Sequence, residues 1–236
     1  MSVQPKNPIR IVTAAALFDG HDASINIMRR ILQDLGAEVI HLGHNRSVQD
    51  VAKAVLQEGA QGVCISSYQG GHMEYFKYLK DLLDQAGAGY VRIYGGGGGV
   101  IVHDEKRELE AYGIAQIFHP EDGRRLGLEG MIKMIIDGCD FDVIEAQKQF
   151  KKKQVFDGDA IPSVELGVAL TAIENGLKNV KLDQFGLAGF AAKGQAPLVL
   201  GITGTGGAGK SSLIDELSQR FLNIYPGKKL GVVCVD

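Results

Sequence analysis

Eight consecutive residues, Gly204-Thr205-Gly206-Gly207-Ala208-Gly209-Lys210-Ser211, fit the phosphate-loop pattern G-x-x-x-x-G-K-[ST]. Glycines let a backbone wrap tightly enough for its N–H groups to cradle phosphate oxygens. Lys210 can then reach the terminal phosphates, and the Ser211 hydroxyl can ligand Mg2+. An apolar run at residues 198–202 precedes the loop and an amphipathic stretch at 213–222 follows it. Strand, loop and helix in that order are the context a nucleotide loop needs, since the helix N-terminus must point at the same phosphate. The expected nucleotide contacts are Gly204, Gly206, Gly207, Ala208, Gly209, Lys210, Ser211 and Ser212.

A second constellation lies far from the first. It comprises Phe18-Asp19-Gly20-His21-Asp22-Ala23-Ser24, then Ser66-Ser67-Tyr68-Gln69-Gly70-Gly71-His72, then five glycines at 95–99. An Asp two residues before a His in a tight turn suits a metal-binding imidazole. The carboxylate accepts the ring N–H, fixes the tautomer and leaves the other nitrogen for the metal. One His without a neighbouring His or Cys cannot build a zinc site. A metal already held inside an organic macrocycle needs only one protein donor. Five glycines in a row remove side chains where something bulky passes close to the backbone. The plain alternatives are a solvent-facing loop histidine bonded to Asp19 or Asp22, and a flexible glycine loop.

The elements that position these residues follow from periodicity. Short apolar runs at 9–16, 38–42, 62–66, 90–94 and 114–118 read as strands. Amphipathic stretches at 24–35, 48–58, 74–85, 105–112 and 121–136 read as helices, with Gly36 closing the first and Ser47 capping the second. Strands alternating with helices imply a parallel sheet covered on both faces. Five such units suit an α/β fold of the flavodoxin-like, doubly wound, Rossmann-like kind, with strand order 2-1-3-4-5. Its ligand sits over the strand carboxyl ends where the order reverses, so the three unusual loops are expected on one rim. A phosphoacceptor receiver would want an Asp at the end of the third strand, where Ser66 and Ser67 stand. A flavin phosphate site would want hydroxyls and an Asn after the first strand, where Asp-Gly-His stands.

Residues 140–197 read as a helical linker, with a break at Pro162 and a helix over 164–177. Residues 229–235 read as one more strand, ending in Asp236. With 25 residues after Ser211, the expectation is the amino-terminal portion of a longer polypeptide, divided as 1–139, 140–197 and a truncated 198–236. The net charge of −3 gives no argument for nucleic acid or membrane partners. The basic run Lys148, Lys151, Lys152 and Lys153 reads as a solvated face. Cys64, Cys139 and Cys234 form no C-x-x-C pair, so buried free thiols in a reducing, cytoplasmic compartment are expected.

Over residues 8–138 the sequence resembles the cobalamin-binding domain of adenosylcobalamin-dependent mutases, whose D-x-H-x-x-G, S-x-L and G-G signatures stand here as Asp19 to Ser24, Ser66 to Tyr68, and Gly95-Gly96. Ser24 replaces the family's Gly and Tyr68 its Leu. The resemblance implies that His21 is the lower axial ligand of cobalt in place of the cofactor's own benzimidazole. Asp19 would hydrogen-bond His21, and the displaced tail would lie in a channel beside Ser66 and Ser67. Gly20, Asp22, Ser24, Tyr68, Gly95 and Gly96 complete the implied cofactor set. The P-loop and the terminal Val232-Val233-Cys234-Val235-Asp236 look like the G-protein chaperones that service acyl-CoA mutases, which implies GTP or GDP with Mg2+ and makes Asp236 a metal-shell residue. Both modules on one chain imply an isomerase that interconverts isobutyryl-CoA and n-butyryl-CoA. The GTPase would gate cofactor loading, the acyl-CoA would bind a further domain, and the full-length form would be a homodimer. The alternatives are a non-catalytic cobalamin carrier or sensor acting on a separate mutase, and a P-loop kinase or ATPase behind a receiver-like domain.

Overall fold

The computed structural model describes residues 5–19, 23–150, 164–176, 198–228 and 230–234. Two compact units divide the chain, Met1–Ala191 and Ala192–Asp236. In the first, five strands form one parallel sheet: β1 (Arg10–Ala15), β2 (Glu38–His41), β3 (Gly62–Ser66), β4 (Arg92–Gly96) and β5 (Gln116–Phe118). Their spatial order is 2-1-3-4-5, as the alternating pattern predicts. Helices α1 (Ala23–Asp34) and α5 (Pro120–Cys139) cover one face; α2 (Val48–Glu58), α3 (His72–Gln85) and α4 (His103–Tyr112) cover the other. Successive strand side chains point to opposite faces. Val12, Val63, Ile65 and Ile93 therefore enter one core layer, while Ile11, Cys64 and Tyr94 enter the other.

Register positions the site. Ala15 lies opposite Ser66, and Ser66 opposite Gly96, so the carboxyl ends of the three central strands are level. The chain leaves β1 and β3 toward opposite faces, which opens a crevice between the two departures.

Local chemistry sets most boundaries. The Ser47 side chain accepts the Asp50 N–H to start α2, and Gly59 at φ +58° ends it. Gly36 follows α1 at φ +93°. The fourth strand is displaced from the expected 90–94 and takes in two glycines read from sequence as loop. Pairing with β3 decides this, because Ile65 and Ser66 hydrogen-bond with the Gly95–Gly96 stretch whatever its propensity. A Cβ on Gly95 would run into the Phe76 ring. Its missing side chain thus makes room for the α3 core. The fifth helix is broken at Gly127 (φ 66°, ψ 172°), conformations closed to a residue with a side chain.

Past the sheet come α6 (Val143–Lys148) and α7 (Val164–Glu174). Helix α7 packs on the end of α2 through two glycines. A Cβ on Gly59 would lie 3.1 Å from the Gly167 carbonyl oxygen, and one on Gly167 2.5 Å from that of Leu56. Arg10 secures the contact by bonding Glu38, Glu174 and the Glu58 carbonyl.

In the second unit α8 spans Lys210–Ile224. Residues 198–202, and the described part (230–234) of the strand expected over 229–235, form no strand among the described residues, and Leu198, Val199 and Val233 lie exposed. An apolar run becomes a strand only where a neighbour takes its backbone hydrogen bonds. No described helix is long and apolar enough to cross a membrane.

Candidate functional site

The rim is held together by backbone. Ala16 donates its N–H to the Ser66 carbonyl and Ser67 donates its own to Gly96, at 2.9 and 2.8 Å. Asp19 adds a side-chain tie: it is 1% exposed, and its carboxylate accepts the Tyr68 backbone N–H at 2.7 Å. The first two loops thus meet through a charge-assisted bond, the stronger class of hydrogen bond. His21, Gly20 and Asp22 lie outside the described residues, as does Asp236.

Behind these loops, between the sheet and helices α1 and α5, lies a crevice of about 360 Å³. Small-molecule sites run from about 300 to 1,000 Å³. Ser24, Ser66, Tyr68, Gly95 and Gly96 all line it; Ser67 is buried beside it. Gly97 and Gly98 of the glycine run line it too, as do Met28, Phe118, His119 and Met131, which sequence reasoning did not single out. The apolar ones carried no signal beyond ordinary core periodicity. Gly97 and Gly98 were within the glycine run, and close approach explains both. A Cβ on Gly97 would run into the Ser67 carbonyl oxygen, and one on Gly98, at φ +57°, into the Tyr68 ring. Gly98 thus makes room for the Tyr68 ring. The Tyr68 ring lies over that glycine and its hydroxyl donates to Ser24 Oγ at 3.3 Å.

One atom in the crevice wall awaits a partner. The Ser66 hydroxyl is buried and makes no hydrogen bond among the described residues, a state that costs about 1–3 kcal/mol unless a ligand relieves it. An apolar crevice with one waiting hydroxyl and a floor stripped of side chains fits a flat heterocycle on a polar tail, the shape of a displaced benzimidazole nucleotide. Cys64 also lines the crevice. Burial pushes its thiol well above the ordinary value and that of Cys139 up to about 12, so neither supplies a thiolate. Cys234, expected to be buried, is exposed.

In the second unit Gly209 (φ 79°) precedes the first turn of α8, which contains Lys210, Ser211 and Ser212; Gly207 has φ 76°. The Lys210 ammonium donates to the carbonyls of Gly204 and Thr205, both at 2.8 Å. The loop therefore curls round its own lysine at the helix N-terminus, where an anion finds both charge and N–H donors.

Comparison with known proteins agrees with this geometry. The family model described as "B12 binding domain" matches residues 9–124, and that described as "Methylmalonyl Co-A mutase-associated GTPase MeaB" matches 166–236. The chain is 53% identical to the fused isobutyryl-CoA mutase of Geobacillus kaustophilus over 99% of its own length and 22% of that protein's. Against the fused isobutyryl-CoA mutase of Cupriavidus metallidurans it is 55% identical over 98% of its length and 21% of the relative's. It thus spans about a fifth of the length of these two relatives. It is also 30% identical to the pivalyl-CoA mutase small subunit of Xanthobacter autotrophicus, covering 50% of this chain and 77% of that one. The chain belongs to the fused isobutyryl-CoA mutase family, with a B12-binding domain followed by MeaB-type GTPase sequence.

Proposed function

We propose that the protein is the cobalamin-handling part of an adenosylcobalamin-dependent isomerase that interconverts isobutyryl-CoA and n-butyryl-CoA, joined to a GTPase that gates cofactor loading. The observation that carries this reading is the level row Ala15, Ser66 and Gly96 above a crevice in whose wall, among the described residues, the buried Ser66 hydroxyl has no partner. When bound, adenosylcobalamin supplies a cobalt–carbon bond that breaks homolytically. The protein's share is placement and exclusion of water. His21 would hold the cofactor's cobalt, Asp19 would hold that ring, and Ser66 and Ser67 would hydrogen-bond the cofactor's polar tail. Gly20, Asp22, Ser24, Tyr68, Gly95 and Gly96 shape the channel. In the GTPase part, Gly204 and Gly206 to Ser212 hold GTP, with Mg2+ on Ser211 and Asp236. Acyl-CoA is the substrate of the whole protein. The domain limits 1–139, 140–197 and 198–236, a homodimer and a cytoplasmic location belong to the same reading.

The test is spectroscopic. Adding adenosylcobalamin to the purified chain should give the spectrum of cofactor that has lost benzimidazole coordination and gained a histidine nitrogen. His21→Ala should abolish that signature. A His21→Ala variant with an unchanged histidine-ligated spectrum rules the assignment out.

A further inference from the structure

Outside the crevice, a polar cleft lies where α4 and α5 begin, formed by His103, Lys106, His119, Glu121, Asp122 and Arg125. Lys106 and Arg125 are both engaged by Asp122, at 2.6 and 3.2 Å. The other three side chains converge on one another. The imidazoles of His103 and His119 have centroids 4.3 Å apart, and His103 Nε2 lies 3.5 Å from the Glu121 carboxylate. One nitrogen from each ring and one Glu121 oxygen all lie within 4.8 Å of one another.

We propose that His103, His119 and Glu121 bind a divalent transition-metal ion of the zinc class, with water in the open position. Two imidazoles and one carboxylate are a donor set that zinc takes readily, at bond lengths of about 2.0–2.2 Å. Donors so bound stand about 3.2–3.5 Å apart around a tetrahedral ion. His103 and Glu121 are already at that separation, so only modest side-chain rotation completes the set, and both are exposed enough to make it. His119 Nδ1 accepts the Glu121 backbone N–H at 3.4 Å, a long bond that a metal can replace. The two helix N-termini oppose a cation, but that field is screened at exposed ends and fades within a turn; coordinate bonds to three donors outweigh it. Magnesium is a poor competitor, since two of the three donors are nitrogen. The bound ion joins the start of α4 to the start of α5, beside the crevice that His119 also lines.

The full chain, freed of metal and with its thiols reduced, is titrated with Zn2+ against a chromophoric chelator. One ion per chain is expected, with the affinity reduced at least about tenfold in His103→Ala and in Glu121→Gln, both surface changes that leave the core intact. Millimolar Mg2+ should leave the binding curve in place. Variants that bind Zn2+ with the parent's affinity and stoichiometry overturn the site, as does Mg2+ that competes on equal terms.

Discussion

Glycines and the side chains they admit decide how tightly the cofactor rim closes. Gly97→Ala would drive a methyl into the Ser67 carbonyl oxygen, and a backbone atom cannot swing aside as a flexible side chain does. The expected loss is on the order of 1–3 kcal/mol in urea unfolding, together with weaker adenosylcobalamin binding by spectral titration. Gly70→Ala, where an added Cβ meets nothing within 4 Å, should stay within about 0.5 kcal/mol of the parent. Tyr68→Leu removes the bond to Ser24. It should cost about 0.5–1.5 kcal/mol and leave the cofactor spectrum intact, because the Asp19 bond goes to the Tyr68 backbone and survives. Residue types on this rim were legible from sequence; their partners were not. Asp19 was read as a partner for His21, which lies outside the described residues; its carboxylate also accepts, at 2.7 Å, an N–H 49 residues along that the spacing did not announce. Nothing in local spacing encodes a bond that register creates.

Helix starts next to this rim are fastened by carboxylates, which makes them sensitive to acid. The Val102 N–H, and after it His72, hold the Glu105 carboxyl below its usual range. Burial alone would raise Asp122, but Lys106, the His119 N–H and Arg125 hold it below. A carboxyl depressed in the folded state stabilises it fully above the unfolded value, near pH 4, and loses that contribution as pH falls through the lower folded value. In Asp122→Asn, the stability deficit relative to the parent should therefore be constant from pH 7 to about 5. It should shrink steadily below about 4, as measured by thermal unfolding across that range. Element types were readable because apolar period and caps are local, as Ser47 and Gly36 show. The displaced β4 and the break in α5 were not. The first depends on pairing with β3, and the second on a backbone angle that only Gly127 among its neighbours can adopt.

At the scale of the whole chain, the two units differ in what a ligand can add. The unit Met1–Ala191 has two core layers and an ordered crevice. A ligand that binds only the folded state stabilises it by about 2.7 kcal/mol at a hundred times its dissociation constant. For about 150–250 residues each kcal/mol moves the midpoint by about 2–4 °C. Adenosylcobalamin at that excess should therefore raise the unfolding midpoint by about 5–10 °C, and His21→Ala should reduce the gain. In the other unit α8 buries none of its residues, and the apolar runs 198–202 and 230–234 pair with nothing among the described residues. A phosphate loop gains affinity from a framework that holds its N–H groups in place before the anion arrives, and that framework is thin here. Millimolar Mg2+ with GTP should accordingly move the midpoint of this chain by less than about 1 °C, read in the same calorimetric scan. A shift as large as the cofactor's would mean that the loop is organised without the two strands, and that Lys210 and the helix N-terminus suffice to hold the nucleotide.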